Sequence, residues 1–450
     1  MRFLSTRRLP GRVGVIAVAL AAGSAGFAYP ALAGTTAATA GVSPTPANGT
    51  PQIVRVGKGT ETVRQLVKCG DRMYAVGDFT SVKQGGKTFA RNNVFSFSAT
   101  KPYTVSGMNV DVNGEVNSIA FVPQRGCGDA YIGGTFTSVH GTSASNIAEV
   151  NTSTGAVVTS FGRDANGTVD TLLGYKDHLL AGGSFTQTNG HARNFYASLN
   201  PFNGKDDGFI GLSISGRVPN DPAKIYNQQL SHSGNLLLVE GNFTSVGGQP
   251  RQQIFMLNLG GSTAKVTGWT SPEFSQPCIL RESFYLRSAA WSPDDATIYT
   301  ASTGDHALNR QMGSFPLTGL CDSAAAFPAT QQSVSHKWIE YDGCDSYFSV
   351  AADAGDVYVA GHPRWADNPN GCNHAGPGAV ADHGLQGLDP GTGHVLLNSG
   401  GQALYTMSPA NADDMLITGA GLWIASSTRF GSVTCGGVGG HAGICFLPAA

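Results

Sequence analysis

One short phrase recurs along this chain and limits the architectures open to it. Tyr74-Ala75-Val76-Gly77-Asp78-Phe79-Thr80-Ser81-Val82 returns as Tyr131-Ile132-Gly133-Gly134-Thr135-Phe136-Thr137-Ser138-Val139. It returns again as Leu180-Ala181-Gly182-Gly183-Ser184-Phe185-Thr186 and as Leu238-Val239-Glu240-Gly241-Asn242-Phe243-Thr244-Ser245-Val246. Degenerate copies follow at Tyr299-Thr300-Ala301-Ser302, Tyr358-Val359-Ala360-Gly361 and Trp423-Ile424-Ala425-Ser426. Their first residues lie 57, 49, 58, 61, 59 and 65 residues apart. A fixed period of this length marks an array of like units, each burying its apolar faces against its neighbours.

Within a unit the pattern is β throughout. In the first, residues 63–67, 73–76, 93–97 and 103–108 are short runs of β-branched, aromatic or alternating residues. Gly70-Asp71, Gln84-Gly85-Gly86 and residues 98–101 part them as turns. Four strands in each of seven units predict an all-β fold, a single seven-bladed β-propeller over residues 51–450. The last unit offers three strands, at 415–418, 421–425 and 443–447, whereas residues 52–56 precede the first unit without a partner. Pairing residues 52–56 into the last blade would close the ring and remove two exposed edges.

Composition agrees. Of 450 residues, 61 are Gly and only 13% are charged, about half the roughly 25% of ordinary soluble proteins. Turns that need positive φ recruit glycine. A formal charge of -2 leaves no electrostatic footprint for nucleic acid.

The first 33 residues read as a secretory signal peptide: Arg2, Arg7, Arg8 and Arg12, then an apolar stretch at 13–22, then Ala31-Leu32-Ala33 before Gly34. The apolar stretch is too short to span a bilayer, which takes about 20 residues. Arg7-Arg8 raises twin-arginine export beside ordinary secretion, although Leu9-Pro10 follows such a pair poorly. Residues 34–50, rich in Thr, Ala, Pro and Gly, read as a flexible linker. The mature protein is therefore expected outside the cytoplasm, with no membrane span.

The Gly-x-Phe-Thr-Ser-Val signature with its Gly-rich turn, as in Phe243-Thr244-Ser245-Val246-Gly247-Gly248-Gln249-Pro250-Arg251, resembles the delta-60 type propeller repeat. The C-terminal half, with Val357-Tyr358-Val359-Ala360-Gly361-His362-Pro363-Arg364-Trp365 and Gly376-Pro377-Gly378-Ala379-Val380, resembles a secreted propeller family of actinobacteria. The resemblance spans nearly the whole mature chain and implies fold and location. That family carries no established activity, so it implies no catalytic residue. One departure is Cys344 and Ser346 around Asp345, where that family often has a second Gly and a Thr.

Eight cysteines, at 69, 127, 278, 321, 344, 372, 435 and 445, argue for disulfides in an exported chain. Cys69 and Cys127 stand at equivalent turns of adjacent units, and Cys344 and Cys372 fall on the opposite face. Sequential pairing is expected; a zinc site is the competing reading, without Cys-x-x-Cys spacing to support it.

The longest insertion between repeat strands, residues 361–380, holds His362, Arg364, Trp365, Asp367 and His374. It should project over one mouth of the ring as a sugar-stacking or anion-holding surface, or else pack as a plug tied down by Arg364. The two histidines lack a clear third metal ligand, so neither metal nor cofactor is expected. There is no Gly-x-Ser-x-Gly elbow, His-Glu-x-x-His helix or Walker loop. Asp294-Asp295 and Asp413-Asp414 read as turn-forming acids. Asp342 and Asp345, flanking Cys344 before an inner strand, are the candidate channel acids. Two functional readings follow: a monomeric extracellular binding or scaffold module for a glycan, peptide or cell-envelope partner, or a hydrolase or lyase with carboxylates at the central channel.

Overall fold

A computed structural model describes residues 41–218, 221–278, 285–304, 316–408, 412–429 and 433–450. The signal-peptide reading and the start of the linker lie outside the described residues. Among those residues no helix is long and apolar enough to cross a membrane.

Each motif copy forms the second strand of an antiparallel sheet. Seven sheets arise this way among the described residues. Their first strands are Thr62–Cys69, Glu115–Ala120, Val169–Tyr175, Lys224–Leu230, Leu286–Trp291, Tyr347–Ala352 and Ala412–Thr418. The motif strands beside them are Arg72–Asp78, Asp129–Thr135, His178–Gly183, Leu236–Asn242, Thr297–Ser302, Val357–Gly361 and Gly421–Ser426. A third strand follows in every sheet, and a fourth in two of them, Lys265–Val266 and Trp338–Tyr341. In the other sheets the fourth position is held by single bridges such as Phe97 to Val105 and Val150 to Val157. First strands touch in chain order from sheet to sheet, and Ala412–Thr418 touches Thr62–Cys69.

Motif strands are buried on both faces, as the run Met73 to Gly77 illustrates, because each lies between two neighbouring sheets. This is why their sequences read as continuous small and apolar runs without alternation. At the joint of the seventh sheet with the first, Trp423 stacks on Phe446 with ring centroids 4.1 Å apart, and Tyr103 meets Trp423 edge-on.

The motif glycine has a specific task. A Cβ on Gly77 would lie 1.9 Å from the Thr62 carbonyl oxygen, and one on Gly183 2.0 Å from that of Thr168. Gly134, Gly241 and Gly361 face Glu115, Lys224 and Ser346 in the same way. At this level the first strand presses onto the motif strand, and its register slips by one residue. A β-bulge results, which turns one side chain out of the ladder.

The expected pairing of residues 52–56 with the last sheet is corrected. Gln52 and Ile53 pair instead with Lys83 and Val82 of the first sheet's hairpin. Residues 41–47 hold the outer edge of the seventh sheet: Val42 bridges Ala449, and the Ser43 and Ala47 N–H groups donate to the Pro448 and Phe446 carbonyls at 2.8 Å. Val42 and Ala47 are buried, so this part of the expected linker is packed structure. Its prolines are compatible with the role. Pro44 and Pro46 have no N–H to give, and they alternate with the residues that do donate, as an edge strand permits.

The cysteines pair in sequence, Cys69 with Cys127, Cys278 with Cys321, Cys344 with Cys372 and Cys435 with Cys445.

Candidate functional site

The register slip recurs in every first strand. It skips Arg64, Asn117, Asp170, Tyr226, Arg287, Phe348 and Asp413, one residue per sheet. All seven line one cavity of about 350 Å³. Seven positions far apart in sequence are thus delivered to one place by a single backbone device, the bulge opposite the motif glycine. In the fifth and seventh sheets Ser302 and Ser426 take the glycine's register position, and the bulge persists.

The cavity carries both signs of charge and two aromatic side chains. Arg64 donates from Nε to Glu115 at 2.6 Å and from Nη1 to Asp413 at 2.8 Å. Burial opposes the Arg64 charge, but Asp413 and Glu115 outweigh it and hold the guanidinium's pKa above its ordinary value. Lys224 lies 3.8 Å from Asp170 and 4.8 Å from the Tyr226 ring centroid, with the Arg287 guanidinium 6.0 Å from the same ring. Such cation–π placement suits a ring whose face is electron-rich. Burial pushes Asp170 up to about 6 against the pull of Lys224, and Asp413 up to about 6 against that of Arg64. Asp414 is likewise pushed up to about 6 by burial while it accepts the Leu66 N–H. Asp170 Oδ2 is buried without a hydrogen bond, which adds to the cost of ionising this carboxyl.

The two acids expected in the channel are not in this wall. Asp342 is fully buried and accepts the Asp345 N–H; burial first, then Glu340, Asp322 and Asp345, holds its carboxyl well above the usual range. Asp345 takes two bonds from Arg364, at 2.6 and 2.8 Å. Being next to an inner strand in sequence is insufficient, because the wall forms at the bulge, from the skipped residue and near neighbours such as Ser288 and Asp414, and in the sixth sheet the skipped residue is Phe348. Asp413, read as a turn former, is the bulged residue of the seventh sheet. The Asp294-Asp295 turn is as expected: Asp294 accepts from Ser292 and Ala296, and Asp295 from the backbone of His232 and Ser233. A signal for the cavity residues was present. Arg64, Asp170, Phe348 and Asp413 each stand 13 residues before Gly77, Gly183, Gly361 and Ser426.

The residues of the 361–380 insertion divide into separate groups. His362 sits edge-on to Phe348, 5.1 Å between ring centroids, and 3.9 Å from Asp345; burial lowers its pKa while Asp345 opposes. Arg364 bonds Asn373 as well as Asp345, and so ties the loop to the turn before the sixth sheet. Trp365 is half-buried and pairs with Ala381. Asp367 turns away to His394 at 2.9 Å, and His374 is exposed. His362 therefore adjoins the cavity through Phe348. Among the described residues no group of three or more His, Cys, Asp or Glu is arranged to hold a metal ion.

An all-β repeat of antiparallel meanders, with first strands in mutual contact around one cavity, is β-propeller architecture. No protein-family model and no curated protein matches the chain. Among solved structures it is similar to U3-55K, with a TM-score of 0.48 and 9% identity over 90% of this chain and 100% of that one. The RRP9 WD40 repeats give the same score and identity, covering 90% and 99%. The computationally designed Ika8 protein follows with a TM-score of 0.43 at 9% identity, covering 90% and 100%. At such identities nothing those proteins bind is carried over to this chain.

Proposed function

We propose that the mature protein is a secreted, monomeric, seven-bladed β-propeller that works as an extracellular binding or scaffold module. The contacts between the last and first sheets support a ring, with residues 41–47 as the strand that completes the seventh blade. The delta-60 type resemblance and four disulfides fit an exported protein.

One observation carries the binding reading: seven bulged side chains converge on a single cavity that presents Tyr226 and Phe348 beside arginines and carboxylates. Aromatic faces stack against sugar rings or apolar side chains, and flanking charges orient their polar groups. The ligand is thus a glycan or peptide that inserts one residue into the mouth, while loop 361–380 contacts the remainder. A glycan and peptide array, followed by titration, tests this. Saturable binding lost in Phe348→Ala and Arg287→Ala, with folding intact by circular dichroism, is the expected result; undiminished binding in both would remove the cavity from the site.

A second reading, hydrolase or lyase, draws on the carboxyls of Asp170, Asp413 and Asp414, all pushed up to about 6. A carboxyl in that range can deliver a proton in mildly acidic medium. Mass spectrometry of the array ligands separates the two readings. New products that disappear in Asp170→Asn would establish catalysis, and intact ligands leave the binding module.

A further inference from the structure

We propose that Glu340 is held as a neutral carboxylic acid and that loss of its proton unlatches the loop at residues 361–382 from the body of the sixth sheet. The number of protons in a buried hydrogen-bond chain fixes the state of Glu340, independently of the cavity's function.

Two oxygens press on the Tyr347 hydroxyl, Glu340 Oε2 at 2.6 Å and Gln386 Oε1. Tyr347 has one proton to donate. The orientation of Gln386 is set from its other end, where Nε2 donates to the Trp365 carbonyl at 2.7 Å, an oxygen that can only accept. Gln386 Oε1 therefore faces Tyr347 and carries no proton. Both oxygen contacts are hydrogen bonds only if Glu340 supplies the second proton. Glu340 then donates to Tyr347, Tyr347 donates to Gln386, and Gln386 donates to Trp365. The remaining oxygen, Glu340 Oε1, accepts the Asp367 N–H at 3.0 Å.

This relay is dry, with Glu340 3% exposed and Tyr347 and Gln386 not exposed at all. Both of its ends grip the loop, one at the Trp365 carbonyl and one at the Asp367 N–H. The ionisable groups facing the relay are Tyr341, Asp342, Asp367 and Asp382 together with Tyr347 itself. All are acidic, so none offsets a negative charge on Glu340. Burial pushes Glu340 up to about 8. Once ionised, it claims the Tyr347 proton, and Gln386 Oε1 is left facing an oxygen lone pair.

The sign follows from linkage. With the loop open and Glu340 in water, its pKa is about 4.3, below the latched value. The latch is therefore at full strength below that pH. It weakens about tenfold per pH unit as pH rises towards 8, and then levels off.

Hydrogen exchange of the full-length mature protein between pH 5 and 9, corrected for intrinsic rates, reads the opening. The peptide spanning residues 362–384 is compared with one from the first sheet. Protection of the loop peptide alone is expected to fall about tenfold per unit up to pH 8. Glu340→Gln offers the same donor and acceptor at every pH and should give a flat profile. Tyr347→Phe removes the relay oxygen but leaves Glu340 buried and titratable, so it should keep the slope and start from lower protection at pH 5. A flat wild-type profile overturns the proposal, and so does a slope retained in Glu340→Gln or undiminished protection at pH 5 in Tyr347→Phe.

Discussion

The first four sheets and the last three carry the same fold by different means. In the first four, the third strand enters through a residue with positive φ, at Asn93, Asn146, Phe195 and Gln253, with φ of 66°, 64°, 69° and 66°. An arginine just before it clamps the hairpin in three of them: Arg91 donates to the Ser106 carbonyl, Arg193 to Asp206 and Arg251 to the Thr267 carbonyl. The last three sheets lack the full signature. They contain Cys344–Cys372 and Cys435–Cys445, while Cys278–Cys321 braces the fifth. All five tryptophans lie at or beyond position 269. Trp269, Trp291 and Trp338 each donate from the indole N–H to a backbone carbonyl across the packing, of Pro328, Gln229 and Pro390. Regular copies are thus held by a repeated polar clamp, with Cys69–Cys127 joining the first two, and irregular ones by a cross-link near each sheet and by large aromatic side chains, which tolerate drift in the local phrase.

The sharpest way to break this comparison is at the joint between the two halves. Deleting residues 34–40 should leave the melting temperature unchanged, whereas deleting 34–47 strips Val42, Ala47 and their edge bonds from the seventh sheet. The expected loss is roughly 3–6 kcal/mol from lost apolar burial and hydrogen bonds, read by calorimetry. Equal melting temperatures for the two deletions would refute the edge-strand assignment.

Next in size are the cross-links. Replacing both cysteines of a pair by serine should cost about 2–5 kcal/mol. Cys69–Cys127, which closes 58 residues, should cost more than Cys435–Cys445, which closes 10. Denaturant midpoints of the two double variants rank them, and the opposite order would mean that native packing outweighs chain entropy.

The smallest effect concerns the bulge. Gly77→Ala drives a methyl into the Thr62 carbonyl and should cost about 1–3 kcal/mol. At the equivalent position of the fifth sheet a Cβ is already accommodated, so Ser302→Ala should lose only its hydrogen bonds to Leu320 and Ser323, about 1 kcal/mol. Equal losses would show that the bulge does not depend on the glycine.

Much was legible before any coordinates. The motif copies and strand pattern follow from local chemistry repeated at a fixed interval, and of the disulfides only Cys69–Cys127, 58 residues apart at equivalent turns, does so. The cavity wall was less accessible. Asp413 and Asp342 each stand beside a strand start and look alike in sequence, yet one is a bulged residue on the cavity wall and the other is fully buried away from that wall. Residues 41–47 were misread because proline-rich composition describes an edge strand as well as a linker. The Glu340 relay left no local trace, since Glu340, Tyr347 and Gln386 come from three strands and only folding brings them into contact.

By itself the sequence determined the repeat, its strand content and the turns that separate the strands, because those depend on neighbours a few residues away. Tertiary structure decided which residue of each first strand is turned out of the ladder towards the cavity, which segment completes the last sheet and which buried acid keeps its proton. Those outcomes depend on close approach between chain segments, where one absent Cβ shifts a register and one shared proton sets a charge.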